Sequence, residues 1–451
     1  MSEPIDFLFS TPGMSSTFSS EAHVRAMLAF EAALARAEAR AGIIPQDAAT
    51  GIAALCRVEL FDVAALYREA ASAGTPAIPL VRMLTALIEG DARKYVHWGA
   101  TSQDAIDTAL MLQMRDGLEL LLEGLPGICV ACAKLSEQHR HTLMVGRTLL
   151  QQALPITFGL KTARWLALVV RQVHTLRECR KRALAVQLGG AAGTLAALGD
   201  QGFQVQQLLA EELSLPVPDL PWHAERDRIA EIATALGVVA GAMAKIAEDV
   251  VLLAQTEVGE VSEGAVLGKG GSSALPQKHN PVDATGALAA ARLAIGIVPV
   301  LLAAMAQEHE RAVGGWQVEW SAIPDLFRFT ASAVARVRSA VEGLQIDSER
   351  MRANLNLTGG LIMAESLTMA LAPHLGRPDA QRIVQAICEQ AVKSGEGMRQ
   401  AVMEHAQVTA VLSPEEIDNA LNPAHYLGST NAFINRALDA YHGIQSPQGV
   451  E

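Results

Sequence analysis

The chain has 451 residues, half of them apolar and only 4% aromatic, with a net charge of −12. That length exceeds one simple core, and the abundance of Ala and Leu favours helix over sheet, so an all-α fold of two or three domains is expected. The acidic balance gives no global case for nucleic acid or an anionic membrane, and five sparse cysteines with no signal-peptide pattern at Met1–Asp6 suggest a cytoplasmic enzyme.

Helical periodicity dominates in chain order. From Ser20 to Ala41, Val24, Met27, Leu28 and Leu34 fall on one side, with Ser19 or Ser20 as the cap and Gly42 and Pro45 at the end. The turn cluster Ala73-Gly-Thr-Pro76 separates helices, and so does Leu215-Pro-Val-Pro-Asp-Leu-Pro221. Cys129-Val-Ala-Cys132 has the C-x-x-C spacing, but its surroundings read as one helical turn of small apolar residues. A second long pattern runs from Asp227 towards Glu257. A third runs from Asp283 to Gln307 and is apolar almost all round. Its uninterrupted part, Leu293–Ala306, is shorter than the roughly 20 residues of a membrane span, so a helix buried in a large bundle is expected. Ser413-Pro-Glu-Glu416 reads as a capped helix start. Three segments follow: residues 1–110 with short helices, 111–355 with the long bundle helices, and a C-terminal helical domain at 356–451.

The segment Gly268-Lys-Gly-Gly-Ser-Ser-Ala-Leu-Pro-Gln-Lys-His-Asn-Pro281 carries the chemistry. Its glycines permit positive φ and close approach of backbone N–H groups to an anion. Ser272 can carry a proton if its oxygen is activated, with Ser273 beside it. Lys278 and Asn280 offer a charge and an amide donor to a developing oxyanion. A loop with these tools is expected to act as an active-site lid. The twelve histidines show no metal-ligand spacing, and no cofactor is expected.

This loop resembles the signature of the fumarase/aspartase superfamily, Gly-Ser-Ser-x-Met-Pro-x-Lys-x-Asn-Pro, with Leu275 in place of Met. The resemblance implies that Ser272 is the acid/base group on the carbon alpha to a carboxylate. It implies too that Lys278 and Asn280 hold the aci-carboxylate intermediate. His97-Trp-Gly-Ala-Thr-Ser-Gln-Asp104 is similar to the superfamily's first motif, which makes His97 a catalytic candidate and Thr101, Ser102 and Gln103 carboxylate-binding candidates. Met144-Val-Gly-Arg-Thr-Leu-Leu-Gln151 is similar to the Gly-Arg-Thr-His-x-Gln motif and retains Arg147, Thr148 and Gln151. The superfamily's fold implies a homotetramer with a central bundle of long helices, each active site collecting residues from three chains.

Two departures matter. The family's His after Gly-Arg-Thr is Leu149 here, and its Glu seven places after the signature Lys is Thr285. In the family these two form a charge pair that handles the leaving group or activates water. Eliminating an amine or water needs a second acid. A carboxylate does not: it is ionised at neutral pH and serves equally as nucleophile and leaving group. If it belongs to the same molecule, attack gains effective molarity. Lactone formation from an unsaturated tricarboxylic acid fits, and Pro221–Arg228 and His309–Trp320 look like a lactonizing branch of the superfamily. Arg147 and Arg228 are the leading candidates for binding substrate carboxylates, with Arg226 and Arg311 behind them. The alternative is a C–N lyase of the adenylosuccinate or argininosuccinate type.

Overall fold

The computed structural model describes residues 6–264 and 270–445. It is predominantly helical, as expected, with two short two-stranded sheets in addition. The long helices are α1 (Ser20–Arg40), α2 (Ser102–Gln138), α3 (Phe158–Ala183), α4 (Asp227–Leu253), α5 (Val282–Ala303) and α6 (Gly315–Glu342). β1 (Leu143–Thr148) pairs antiparallel with β2 (Gln151–Thr157), and β3 (Val261–Glu263) with β4 (Leu344–Ile346).

The chain divides into two compact units, each assembled from three stretches. The first comprises Met1–Leu125, Gln172–Ala244 and Gly286–Arg336; the second comprises Pro126–Arg171, Lys245–Thr285 and Val337–Glu451. In the first unit, α1 starts where the sequence suggests. The Ser19 hydroxyl accepts the Ala22 N–H at 3.1 Å, satisfying one of the orphan donors of the first turn. The apolar stripe of α1, with Val24, Met27 and Leu28, packs against Ile52, Leu66, Leu80 and Leu84 from the neighbouring short helices. In the second unit a separate core joins Leu367, Leu371, Ile383, Ile387, Met398 and Ile417. Ser413 caps its helix in a reciprocal box with Glu416.

Two helices stop short of the expected ends. α4 ends at Leu253, before the left-handed Gly259, and α5 ends at Ala303. Cys129 and Cys132 lie buried on α2 as free thiols, both pushed up in pKa first by burial. α5 is the one helix among the described residues long and apolar enough to cross a membrane, with mean hydropathy 2.0. Only 28% of that apolar window is buried within the chain, and Leu293, Ile295, Val300 and Leu302 are each more than 40% exposed. The bundle position expected for this helix is thus not filled by a single chain.

Candidate active site

In the first unit the chain reverses sharply before α2. His97 has φ 56° and Gly99 φ 67°, and a Cβ at Gly99 would lie 2.5 Å from the Leu198 side chain. For His97 the left-handed conformation costs about 1–2 kcal/mol, so surrounding contacts must hold it. One is Glu31 of α1, whose Oε1 lies 2.6 Å from His97 Nδ1. Glu31 is 1% exposed. Burial disfavours the charged ring, but the charge and hydrogen bond of Glu31, helped by Asp104, outweigh it and raise the His97 pKa.

The start of α2 is fixed by buried acids that sequence reasoning assigned no role. Asp104 accepts from the Thr101 N–H at 2.9 Å, from the Gly189 and Gly190 N–H groups at 2.9 and 3.0 Å, and pairs with His223 Nε2 at 2.7 Å. Asp107 accepts from Arg226 at 2.7 and 3.0 Å and from the Trp316 indole at 2.9 Å. The other edge of Arg226 meets Glu319, with Nε donating at 3.0 Å. Arg226 is 2% exposed and its two partners no more than 1%, so its charge is consumed internally. Segments Pro221–Arg228 and His309–Trp320 therefore meet on this ion triad.

The candidates of the first motif separate accordingly. Thr101 is half-buried, and its hydroxyl accepts Arg311 Nη1 at 3.0 Å. Arg311 also donates to the Ala191 carbonyl; its Nε is buried without a partner, and no carboxylate pairs with it among the described residues. Ser102 is half-buried at the first position of α2. Gln103 is fully buried, donating to Asp107 at 3.1 Å and to the His223 carbonyl at 2.8 Å. Arg228 donates to the Arg182 carbonyl near the C-terminal end of α3, at 2.8 Å.

In the second unit the Gly-Arg-Thr motif forms the β1–β2 hairpin, where Thr148 pairs with Gln151 and Arg147 with Gln152, and a register shift separates these pairs from Gly146 and Leu154. The two-residue tip is Leu149-Leu150, with φ 51° and 65°. A type I′ tip usually takes Asn-Gly, because both residues need positive φ. Here two leucines accept that strain while standing 96% and 73% exposed. Thr148 and Gln151 are also exposed. Arg147 points elsewhere: it forms a bidentate pair with the fully buried Glu260 at 2.9 and 2.7 Å, and Asn354 donates to the same carboxylate at 2.8 Å.

The signature loop lies in the same unit; Gly268 and Lys269 fall outside the described residues. The Gly270 carbonyl accepts from Asn280 twice, from its N–H at 2.9 Å and from Nδ2 at 3.3 Å. Gly270 has φ 74°, and a Cβ there would lie 2.8 Å from the Asn280 carbonyl oxygen. The loop therefore closes on a position suited to glycine. Ser272 Oγ accepts the Leu275 N–H at 3.1 Å, and no base bonds to it among the described residues. Ser273 and Lys278 are exposed. At the start of α5, Glu263 accepts the N–H groups of Asp283 and Ala284 at 3.1 and 2.8 Å, matching a carboxylate to the positive end of the helix. Thr285 is exposed and donates its hydroxyl to the Pro281 carbonyl.

Comparison with known proteins agrees with this construction. The family described as "Lyase" matches residues 7–296, and that described as "Adenylosuccinate lyase C-terminus" matches residues 360–437. A 3-carboxy-cis,cis-muconate cycloisomerase of Pseudomonas aeruginosa is 47% identical over 97% of this chain and 96% of its own length. The crystal structure of the 3-carboxy-cis,cis-muconate lactonizing enzyme from Pseudomonas putida superposes with a TM-score of 0.93 at 42% identity, covering 99% of this chain and all of that one. A fumarate lyase structure from Mesorhizobium sp. BNC1 gives a TM-score of 0.89 at 41% identity, over 96% of this chain and 98% of that one. Motifs, fold and full-length similarity agree: the chain belongs to the lyase family of the fumarase/aspartase superfamily.

Proposed function

We propose that the protein interconverts 3-carboxy-cis,cis-muconate and 4-carboxymuconolactone, an intramolecular lyase step in the breakdown of aromatic acids through protocatechuate. The observation that carries this reading is a signature loop retained beside a missing charge pair, with Leu149 and Thr285 at the two positions. Full-length similarity to lactonizing enzymes supports it.

One substrate carboxylate oxygen attacks the carbon beta to a second carboxylate and closes the lactone ring. The displaced π electrons enter that second group as an aci-carboxylate, stabilised by Lys278 and Asn280. Ser272 then gives its proton to the alpha carbon and regains one from solvent. The attacking carboxylate is ionised at neutral pH, so no base is needed to activate it. Arg311, paired with no carboxylate among the described residues and beside Thr101, is suited to the third carboxylate. Arg147 and Arg228 are less available, being committed to Glu260 and to a backbone carbonyl. The enzyme works in the cytoplasm as a homotetramer whose active sites are shared between chains. The exposed apolar face of α5 supports that assembly, since contiguous apolar surface of this kind ordinarily marks an interface.

Restoring the family pair with Leu149→His and Thr285→Glu tests the argument from absence. Both positions are exposed within the chain, so the subunit tolerates the exchange. The reading expects no gain in lactonization rate. A several-fold gain would show that the native reaction lacks an acid it could use.

A further inference from the structure

The family's His–Glu pair is absent at 149 and 285, yet the first unit contains a different one. His97 and Glu31 meet at 2.6 Å, one in the first motif and the other on α1. Glu31 is almost fully buried, and its second oxygen, Oε2, has no partner. A buried acid of this kind either stays neutral or stands beside a compensating charge, and Glu31 has the His97 ring within hydrogen-bond distance. Among the described residues no other group hydrogen-bonds to the Glu31 carboxylate. Asp104 of α2 is itself negative and also acts on His97. Glu38, further along α1, is fully buried with both oxygens unpartnered, and burial, then the Glu31 charge, pushes its carboxyl up to about 9. Cys56 is pushed up to about 12 first by burial, so its thiol is neutral. Arg36 of α1 pairs with Glu212 at 2.6 Å. The imidazolium of His97 is thus the cation that matches Glu31.

We propose that Glu31 is the positioning residue that holds His97 as a charged imidazolium, and that His97 anchors a substrate carboxylate instead of carrying the reaction's proton. Nδ1–H is committed to Glu31, so the ring has one donor, Nε2–H, to offer a ligand. A ring clamped in its charged form by a buried acid is a poor base, because giving up the proton would strand Glu31 unpaired. It is a good fixed cation for an anion that arrives with its charge already in place. The left-handed backbone at His97 fits this static task, since it fixes the direction of the side chain. The anchoring half rests on the lactonization reading; the charge state does not.

Two measurements test it on the intact protein. The first is NMR titration of isotope-labelled histidine, with His97→Gln identifying the resonance. The wild-type ring should titrate above the free imidazole value, and Glu31→Gln should raise its acid dissociation constant by at least about tenfold. The second is kinetics with 3-carboxy-cis,cis-muconate. Above pH 7, Glu31→Gln should raise KM by about tenfold while kcat stays within about threefold, the signature of lost ground-state binding. The difference should shrink only at pH values below the lowered pKa that burial leaves the ring in Glu31→Gln, and Glu31→Asp should recover most of the affinity. An unshifted His97 titration in Glu31→Gln would overturn the charge assignment. A fall in kcat with unchanged KM, matched in His97→Gln, would make His97 the proton carrier and overturn the anchoring role. If Glu31→Gln does not fold, the wild-type titration decides the charge, since a ring titrating at or below the free imidazole value overturns it, and the His97→Gln kinetics decide the anchoring role. Absence of lactonization by the wild type would refute the reaction assignment, and the titration would still decide the pair.

Discussion

Around Asp104 and Asp107 most polar atoms are buried and have partners within the chain, whereas the loop from Gly270 to Pro281 is largely exposed and bonds mainly to itself. Both regions carry superfamily motifs. The first motif sits on a finished scaffold: a carboxylate holds each turn of the start of α2, and Arg226 neutralises two of the acids in that network. The loop's reactive groups, Ser272, Ser273 and Lys278, have almost no internal use. The difference separates residues that build a site from residues that work in one. A motif residue whose charge is fully matched inside its own subunit, such as Asp104 with its three backbone N–H donors and His223, builds the scaffold. A motif residue presented with its functional atom uncommitted, such as Lys278, is available to a ligand or another chain.

Changes in the scaffold should therefore act on folding, and changes in the loop on catalysis alone. Arg226→Met leaves Asp107 and Glu319 buried without their counter-charge. It should cost about 3–5 kcal/mol of stability, read as a large fall in the urea midpoint. An unchanged midpoint would mean that the triad does not hold the scaffold. Lys278→Met should leave the midpoint alone and lower kcat more than it raises KM, by roughly 3 kcal/mol in the barrier, as for a lost oxyanion donor. A pure KM effect would make Lys278 a ground-state binder. Ser272→Ala should fold normally and lose at least ~10²-fold in kcat, the scale of an acid/base group. Near-native turnover would remove Ser272 as the proton donor.

Glu38 sharpens the contrast with the smallest effect. Its carboxyl is raised from 4.5 to about 9 in the folded state, first by burial and then by Glu31. The stability it contributes is fully present below pH 4.5 and is lost as pH rises through about 9. At pH 7 folding must therefore take up a proton. Glu38→Gln, neutral throughout, should match the wild type near pH 4.5 and become progressively more stable above it, by on the order of 1–3 kcal/mol at pH 7. Thermal melts across that range check it; a constant offset would show that Glu38 is ionised in the fold.

The long helices were legible because their apolar spacing and caps are local signals, as at Ser19 and Ser413. The signature loop was legible because its pattern is long and lies on one short segment. The acids that build the site were not. Glu260 finds Arg147, and Glu319 finds Arg226, across sequence separations that no local pattern encodes. Glu31 and Glu38 did leave a trace. They recur with Val24, Met27, Leu28 and Leu34 on the stripe that buries α1, and an acid on an apolar stripe signals a paired or neutral carboxylate. The β1–β2 hairpin was hidden because its leucine tip lacks the usual turn residues.

The central claim is that this site closes a lactone and does not expel an amine. Purified protein should be incubated at neutral pH with 3-carboxy-cis,cis-muconate, adenylosuccinate, argininosuccinate and fumarate in parallel. The account predicts loss of diene absorbance with formation of 4-carboxymuconolactone from the first, and no turnover of the other three. Efficient C–N cleavage with no lactone formed would contradict it.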